Sequence, residues 1–233
     1  MKNKNLGLKN IEFIKIGSAC LFDNYGKINY ELLCNKAKEI EQRDSAMVVV
    51  VSGAIALGKM LEGEKKSNTE ISNVGLQGYA TVGQLELMKL YSGAFKKQTA
   101  QLLITSGNLV HEHDHIKDLI LENARAGRIT LVNYNDGIDF KQIRKDNDTL
   151  AADMLYRCGG KRLVLLGKYD GFLDANKKLI ERVNHIDESV YDLCNGKSEH
   201  GRGGFNTKID AAKIVMTAGA EMIVGNINYS LMM

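Results

Sequence analysis

Two periods alternate along the chain. Short, mostly apolar runs stand at "IEFIKI" (Ile11 to Ile16), "MVVVV" (Met47 to Val51), "QLLIT" (Gln101 to Thr105), "RITLV" (Arg128 to Val132), "RLVLL" (Arg162 to Leu166) and "EMIVG" (Glu221 to Gly225). Between them lie longer stretches whose apolar residues recur at helical spacing, near residues 29–43, 53–62, 76–97, 109–126, 148–158 and 206–218. Strands that are apolar throughout belong to a sheet covered by helices on both faces. No linker, repeat or low-complexity tract interrupts the pattern. The sequence therefore predicts one α/β domain over residues 1–233, a three-layer α/β/α sandwich around a mostly parallel sheet. In such sheets ligands bind where strands end and helices begin.

Composition narrows the class without naming a chemistry. With 44% hydrophobic and 25% charged residues among 233, the chain can bury a large core, and nothing in it reads as disordered. A net charge of +3 with scattered basic residues makes nucleic acid a poor partner. Cys20, Cys34, Cys158 and Cys194 lack metal-ligand spacing and fit reduced thiols in a cytoplasm. No segment approaches the apolar length of a membrane span, and the charged start "MKNKNLGLKN" has no signal core, so a cytoplasmic protein is expected. Proline is absent where about a dozen would be usual. A low-GC genome explains that poorly, because the 23 glycines need codons just as GC-rich.

The polar residues gather at the predicted strand ends. Lys15 interrupts an apolar strand just before Gly17 and Ser18, where burying an ammonium is costly unless it meets an anion. "SGAIALG" (Ser52 to Gly58) follows the second strand and opens a helix; Ser52 is either a plain N-cap or a hydroxyl presented with free N–H groups to a carboxylate or phosphate. In "VNYNDGIDFKQIRKDNDTLAADM", Asn133, Asn135, Asp136, Asp146, Asn147 and Asp148 crowd one strand end and the next helix start. One of the aspartates caps that helix. Capping needs one such residue, and the remaining amides and carboxylates suit a small zwitterion. "GRGGFNTK" (Gly201 to Lys208) precedes another helix, but its Thr-Lys order excludes a P-loop. "HEHDH" (His111 to His115) places His111 and His115 on one helical face and His113 off it, with no further ligand to complete a set, so no metal is assigned.

Seven of these stretches, "FIKIGSACL", "VVSGAIALG", "YATVGQLEL", "LVNYNDGI", "KDNDTLAA", "LVLLGKYDGF" and "GRGGFNTKIDAAKI", resemble in order and spacing the amino acid kinase family, over residues 11 to 226. They are most similar to its branch that phosphorylates the γ-carboxylate of glutamate with ATP, the first step of proline synthesis. The resemblance implies the carbamate kinase-like fold, with ATP and Mg²⁺ as cofactors. It implies that Lys15 and Lys208 neutralise the transferring phosphoryl group and that Asp148 holds both ammonium groups. Ser52, Gly53, Asn133, Asp136 and Asn147 stand at glutamate-binding positions. Lys15, Gly17, Ser18, Gly167, Lys168, Arg202, Gly203, Gly204, Phe205, Asn206, Thr207 and Lys208 stand at nucleotide-binding ones. Glutamate and ATP are the expected partners, with neither nucleic acid nor membrane.

The sequence departs from the family pattern in four places. Tyr134 replaces a Glu whose neighbours touch substrate. Gly167-Lys168 replaces a Ser or Thr followed by Asp, and Arg202 replaces a small Thr. The chain stops at "VGNINYSLMM", short of the family's last helix and strand and of the RNA-binding-like domain of longer members. An edge left there would offer a partner interface, and a homo-oligomer is expected. Two alternatives stay open: a kinase for another small carboxylate or phosphate, and a catalytically weakened homologue.

Overall fold

β1 (Ile11–Ile16) lies in the middle of a six-stranded sheet, with β2 (Ala46–Val50) hydrogen-bonded on one side and β5 (Arg162–Gly167) on the other. β4 (Ile129–Tyr134) and β3 (Thr99–Ile104) extend the sheet beyond β2, and β6 (Glu221–Asn226) extends it beyond β5. The order is β3-β4-β2-β1-β5-β6, and every pairing is parallel. The computed structural model describes residues 10–139, 146–174, 176–194 and 205–231.

The apolar strands are explained by burial on both faces. In β1, Ile14 and Ile16 join one core while Ile11 and Phe13 join the other; in β2, Met47 and Val49 alternate with Ala46, Val48 and Val50 in the same way. The first core is closed by α1 (Tyr30–Glu41), α2 (Ala54–Glu62) and α3 (Asn73–Ala94). The second is closed by α4 (Ser106–His111), α5 (His113–Arg125), α6 (Asn147–Cys158) and α8 (Asn206–Thr217). The expected three layers are present, and no described helix is long and apolar enough to cross a membrane.

Local signals set the helix ends. Asn29, Ser72 and Thr105 accept backbone N–H groups at the starts of α1, α3 and α4, and Gly159 ends α6 at φ 73°. The single helix expected over 109–126 is two: the backbone turns at Glu112 (φ −126°, ψ 15°), which ends α4 and begins α5. The capping box of Thr105 and Asn108 also starts α4 earlier than its apolar residues suggest. The short α7 (Glu188–Cys194) has too few turns to show a period and was not anticipated.

Two glycines bring α2 and α3 into backbone contact. A Cβ on Gly58 would lie 1.9 Å from the Tyr79 carbonyl oxygen, and one on Gly83 would lie 1.9 Å from that of Ala54. α2 is thereby held with its first turn against the end of β2. Beyond β6, Ile227 and Leu231 return to the first core, where Lys36 donates to the Tyr229 carbonyl at 2.5 Å and Leu231 N–H to Glu39 at 2.7 Å.

Candidate active site

The carboxyl ends of β1, β2, β4 and β5 and the first turns of α2, α6 and α8 meet at one place. Asp148 sits at its centre. The helix start that carries it is fixed by Asp146, which accepts the Asp148 backbone N–H at 3.0 Å as the N-cap of α6. The aspartate doing the capping is thus Asp146, which leaves Asp148 to other work.

Asp148 has no exposed side-chain surface. Its Oδ1 lies 2.5 Å from Lys15 Nζ and its Oδ2 accepts from Lys208 Nζ at 2.9 Å. The side chains of Lys15 and Lys208 are 8% and 10% exposed, and with Asp146 Oδ1 3.4 Å from Lys15 Nζ, two ammonium groups and two carboxylates share a largely buried site. Burial alone would push Lys15 below its ordinary pKa, but the carboxylates of Asp148 and Asp146 outweigh it and hold the lysine above that value. Burial likewise opposes ionisation of Asp146, and Lys15 reverses the effect and keeps the carboxyl low. Asp146 also accepts from Thr207 Oγ1 at 3.0 Å, which ties the start of α8 to that of α6.

On the α3 side of the sheet runs a chain of amides. Asn147 Nδ2 donates to the Val51 carbonyl at 2.6 Å and to Asn133 Oδ1 at 2.7 Å, and Asn133 Nδ2 donates to Gln84 Oε1 at 2.6 Å. Each bond fixes which way round its amide stands. Beyond Asn133 the chain turns through Asp136, held by Gln77, which donates to the Asp136 carbonyl at 3.0 Å. The Asp136 carboxyl is pushed up to about 7, chiefly by burial and then by the charge of Asp139. Asp139 is buried and accepts the N–H and hydroxyl of Ser106 at 2.6 and 2.8 Å.

The β1 turn and the α2 start close the site from below. Gly53, at φ 122°, is the N-cap of α2, without a side-chain cap, so Ser52 is not the capping residue. A Cβ on Gly53 would lie 2.2 Å from Leu21 and 3.5 Å from Ser18 Cβ. The glycine therefore lets the 3-10 turn Ser18–Leu21 press against α2 and brings Ser18 beside Ser52-Gly53. Gly17 N–H donates to the Leu166 carbonyl at 2.9 Å, which joins that turn to β5.

Of the nucleotide-side residues, Phe205, Asn206, Thr207 and Lys208 start α8 at this site, and Gly167 ends β5 there. Lys168 is exposed and donates to the Phe22 carbonyl at 2.8 Å. Arg202, Gly203 and Gly204 lie outside the described residues. Tyr134 is buried in the core under α4 to α6, on the sheet face opposite Asn133, and so stands apart from the amide chain. Sequence reasoning missed Gln84, Asp139 and Tyr169. For Gln84 a signal existed, a polar residue between the buried positions Gly83 and Leu87 of a helix.

No described His, Cys, Asp or Glu cluster is arranged to hold a metal ion, and both central carboxylates are committed to lysines. What the arrangement can do is accept a polyanion. Two buried cations fixed on one carboxylate can absorb charge that develops between two substrates, without reorganising at the moment of reaction.

A family model described as the amino acid kinase family matches residues 10–226. A curated glutamate 5-kinase from Pelagibacter ubique is 34% identical over 229 residues, covering 91% of this chain and 62% of that protein. The chain thus spans about three fifths of the length of the curated relatives it matches. Among solved structures, the carbamate kinase from Giardia lamblia bound to AMP-PNP superposes with a TM-score of 0.63 at 14% identity, covering 95% of this chain and 94% of that one. The UMP kinase from Ureaplasma parvum superposes with a TM-score of 0.58 at 18% identity, covering 95% and 91%. At such identities these two establish the shared fold alone.

Proposed function

The chain belongs to the amino acid kinase family, and on that premise we propose that it transfers the γ-phosphoryl group of ATP to the γ-carboxylate of L-glutamate, forming glutamyl 5-phosphate at the entry to proline synthesis. The observation that carries the reading is the pair of buried lysines on the two oxygens of Asp148. Phosphoryl transfer needs alignment and charge neutralisation more than covalent help, and a carboxylate oxygen attacks the γ-phosphorus in line. Lys15 and Lys208 flank the transferring group, and Asp148 keeps them apart and aimed.

The amide chain supports an amino-acid acceptor. Asn133 and Asn147 are orientation-locked, and ionised Asp136 pairs with an α-ammonium. Ser52 and Gly53 stand next to the β1 turn, where an acceptor carboxylate would approach Lys15. Mg²⁺ is a general companion of ATP; because the described carboxylates offer it no cage, no step here is assigned to it. Cytoplasmic location and a homo-oligomeric state belong to the same proposal.

The test is release of ADP from ATP in a coupled assay with glutamate, aspartate, UMP and carbamate as acceptors. Turnover with glutamate well above the other three is expected. Turnover confined to UMP or carbamate, or none with any acceptor, would overturn the reading.

A further inference from the structure

We propose that Tyr169 is a positioning residue for Lys208, and that residue 167 is glycine because the tyrosine ring needs its space. The proposal rests on the reading of Lys208 as a phosphoryl-binding lysine given above, and it goes beyond that reading in naming what aims the lysine.

β5 ends at Gly167, and the next two side chains part company. Lys168 swings outward to the Phe22 carbonyl, while Tyr169 folds back across the strand end. A Cβ built on Gly167 would lie 2.0, 2.4 and 2.6 Å from Cε1, Cζ and Cδ1 of the Tyr169 ring. Even alanine at 167 therefore excludes the ring from its place. The obstacle is a rotatable side chain and not backbone, so the substitution moves Tyr169 without breaking β5.

The displaced ring is the one that lies against Lys208. Lys208 Nζ is 4.9 Å from the Tyr169 centroid and 5.8 Å from that of Phe205. Tyr169 meets Phe205 edge-on at 5.9 Å, and Phe205 stacks on Phe172 at 5.4 Å. Three rings thus join the end of β5 to the start of α8, with the ammonium against them. A ring face attracts a cation most when water is excluded. It also lowers the local dielectric around the Lys208–Asp148 pair, which strengthens that 2.9 Å contact. Ring and carboxylate together define one direction for the ammonium. Gly167 and Tyr169 are then one device: the strand end gives up a side chain of its own so that the aromatic face can reach the lysine.

A double-mutant cycle decides between positioning and plain packing. Gly167→Ala, Tyr169→Ala and the double variant are assayed for ATP-dependent phosphorylation of glutamate and, by calorimetry, for binding of a non-hydrolysable ATP analogue, with thermal unfolding as the check on folding. Each single change should lower kcat about tenfold, with the glutamate KM altered by less than about threefold. The double variant should be no worse than Tyr169→Ala alone, because the methyl group then has no ring to displace. Tyr169→Phe, which keeps the ring face, should recover most of kcat. Additive losses, an unchanged kcat in Tyr169→Ala, or losses confined to thermal stability would overturn the proposal while leaving the kinase reading intact. A wild-type protein that neither binds the analogue nor turns over would overturn both.

Discussion

Lys15 and Lys208 come from opposite ends of the chain and are bound to the two oxygens of one fully buried carboxylate, that of Asp148. Neither lysine could be buried so deeply alone, because an unpaired ammonium in a dry site would give up its charge. The carboxylate, with that of Asp146 beside Lys15, makes both burials tolerable. The proposed chemistry follows from two ammonium groups held at fixed positions on one carboxylate.

The role proposed for the lysines in the transition state makes a prediction about turnover. Lys208→Ala should lower kcat by at least about 100-fold, with a circular dichroism spectrum like that of the natural chain, because Asp148 keeps Lys15 as its partner. Steady-state kinetics checks it, and a kcat within a few-fold of wild type would remove Lys208 from the chemistry.

Removing the shared carboxylate is expected to be worse for the fold. Asp148→Asn leaves Lys208 on a neutral amide and Lys15 with Asp146 at 3.4 Å, and breaking a buried ion pair in this way costs about 3 to 5 kcal/mol. Urea unfolding should show a loss of that order, well beyond that of Lys208→Ala. Equal losses in the two variants would mean that Asp148 is not what makes the burial tolerable.

Asp136 carries a pH dependence. Its carboxyl is pushed up to about 7 in the folded protein by burial and by Asp139, against an ordinary value of 3.8. Between those pH values the folded state binds more protons than the unfolded one, so this group's contribution to stability falls as pH rises from about 4 to about 7 and is level above. Asp136→Asn abolishes that decline, and its stability relative to wild type should climb across the same window. Because only ionised Asp136 pairs with an ammonium, kcat/KM for glutamate should rise with pH through about 7 in the natural enzyme. That limb should be missing in the variant, whose glutamate KM rises far more than its ATP KM. Matching pH profiles for the two proteins would place Asp136 away from the substrate.

Gly83 tests how the helix pair supports the site. A methyl group there would lie 1.9 Å from the Ala54 carbonyl oxygen and 2.5 Å from Gly58 N, so Gly83→Ala must push α3 off α2. Overpacking against backbone should cost about 2 kcal/mol or more. Gln84, the next residue, is displaced with α3, and the glutamate KM should rise as Asn133 loses its partner. Denaturant melts and kinetics on one preparation check both effects. A stable variant with an unchanged KM would show that the two helices can separate without disturbing the amide chain.

The strands were legible because a sheet buried on both faces has to be apolar at nearly every position, as Met47 to Val51 are. β1 stands where expected and the other strands' boundaries differ by one or two residues; β4 runs on through Asn133 and Tyr134, since pairing with β3 continues where the apolar run stops. The break between α4 and α5 was not legible. Glu112 carries no glycine or proline signal, and the capping box of Thr105 and Asn108 marks only where the first short helix starts, not that it stops at Glu112.

By itself the sequence determined a covered parallel sheet, the strand ends as the place for polar groups, and Lys15 as a lysine in need of an anion, because hydrophobic period and the cost of burying charge are local properties of the chain; Lys208 and Asp148 joined it only through the family resemblance. Tertiary structure alone decided which aspartate caps α6, that Tyr134 enters the core on the face away from Asn133, and that Gln84 and Tyr169 belong to the site at all. Those outcomes depend on strand order and helix crossing. Pairing of β1 between β2 and β5, and the contact of Gly58 and Gly83, bring together residues whose separation along the chain carries no trace of their distance in space.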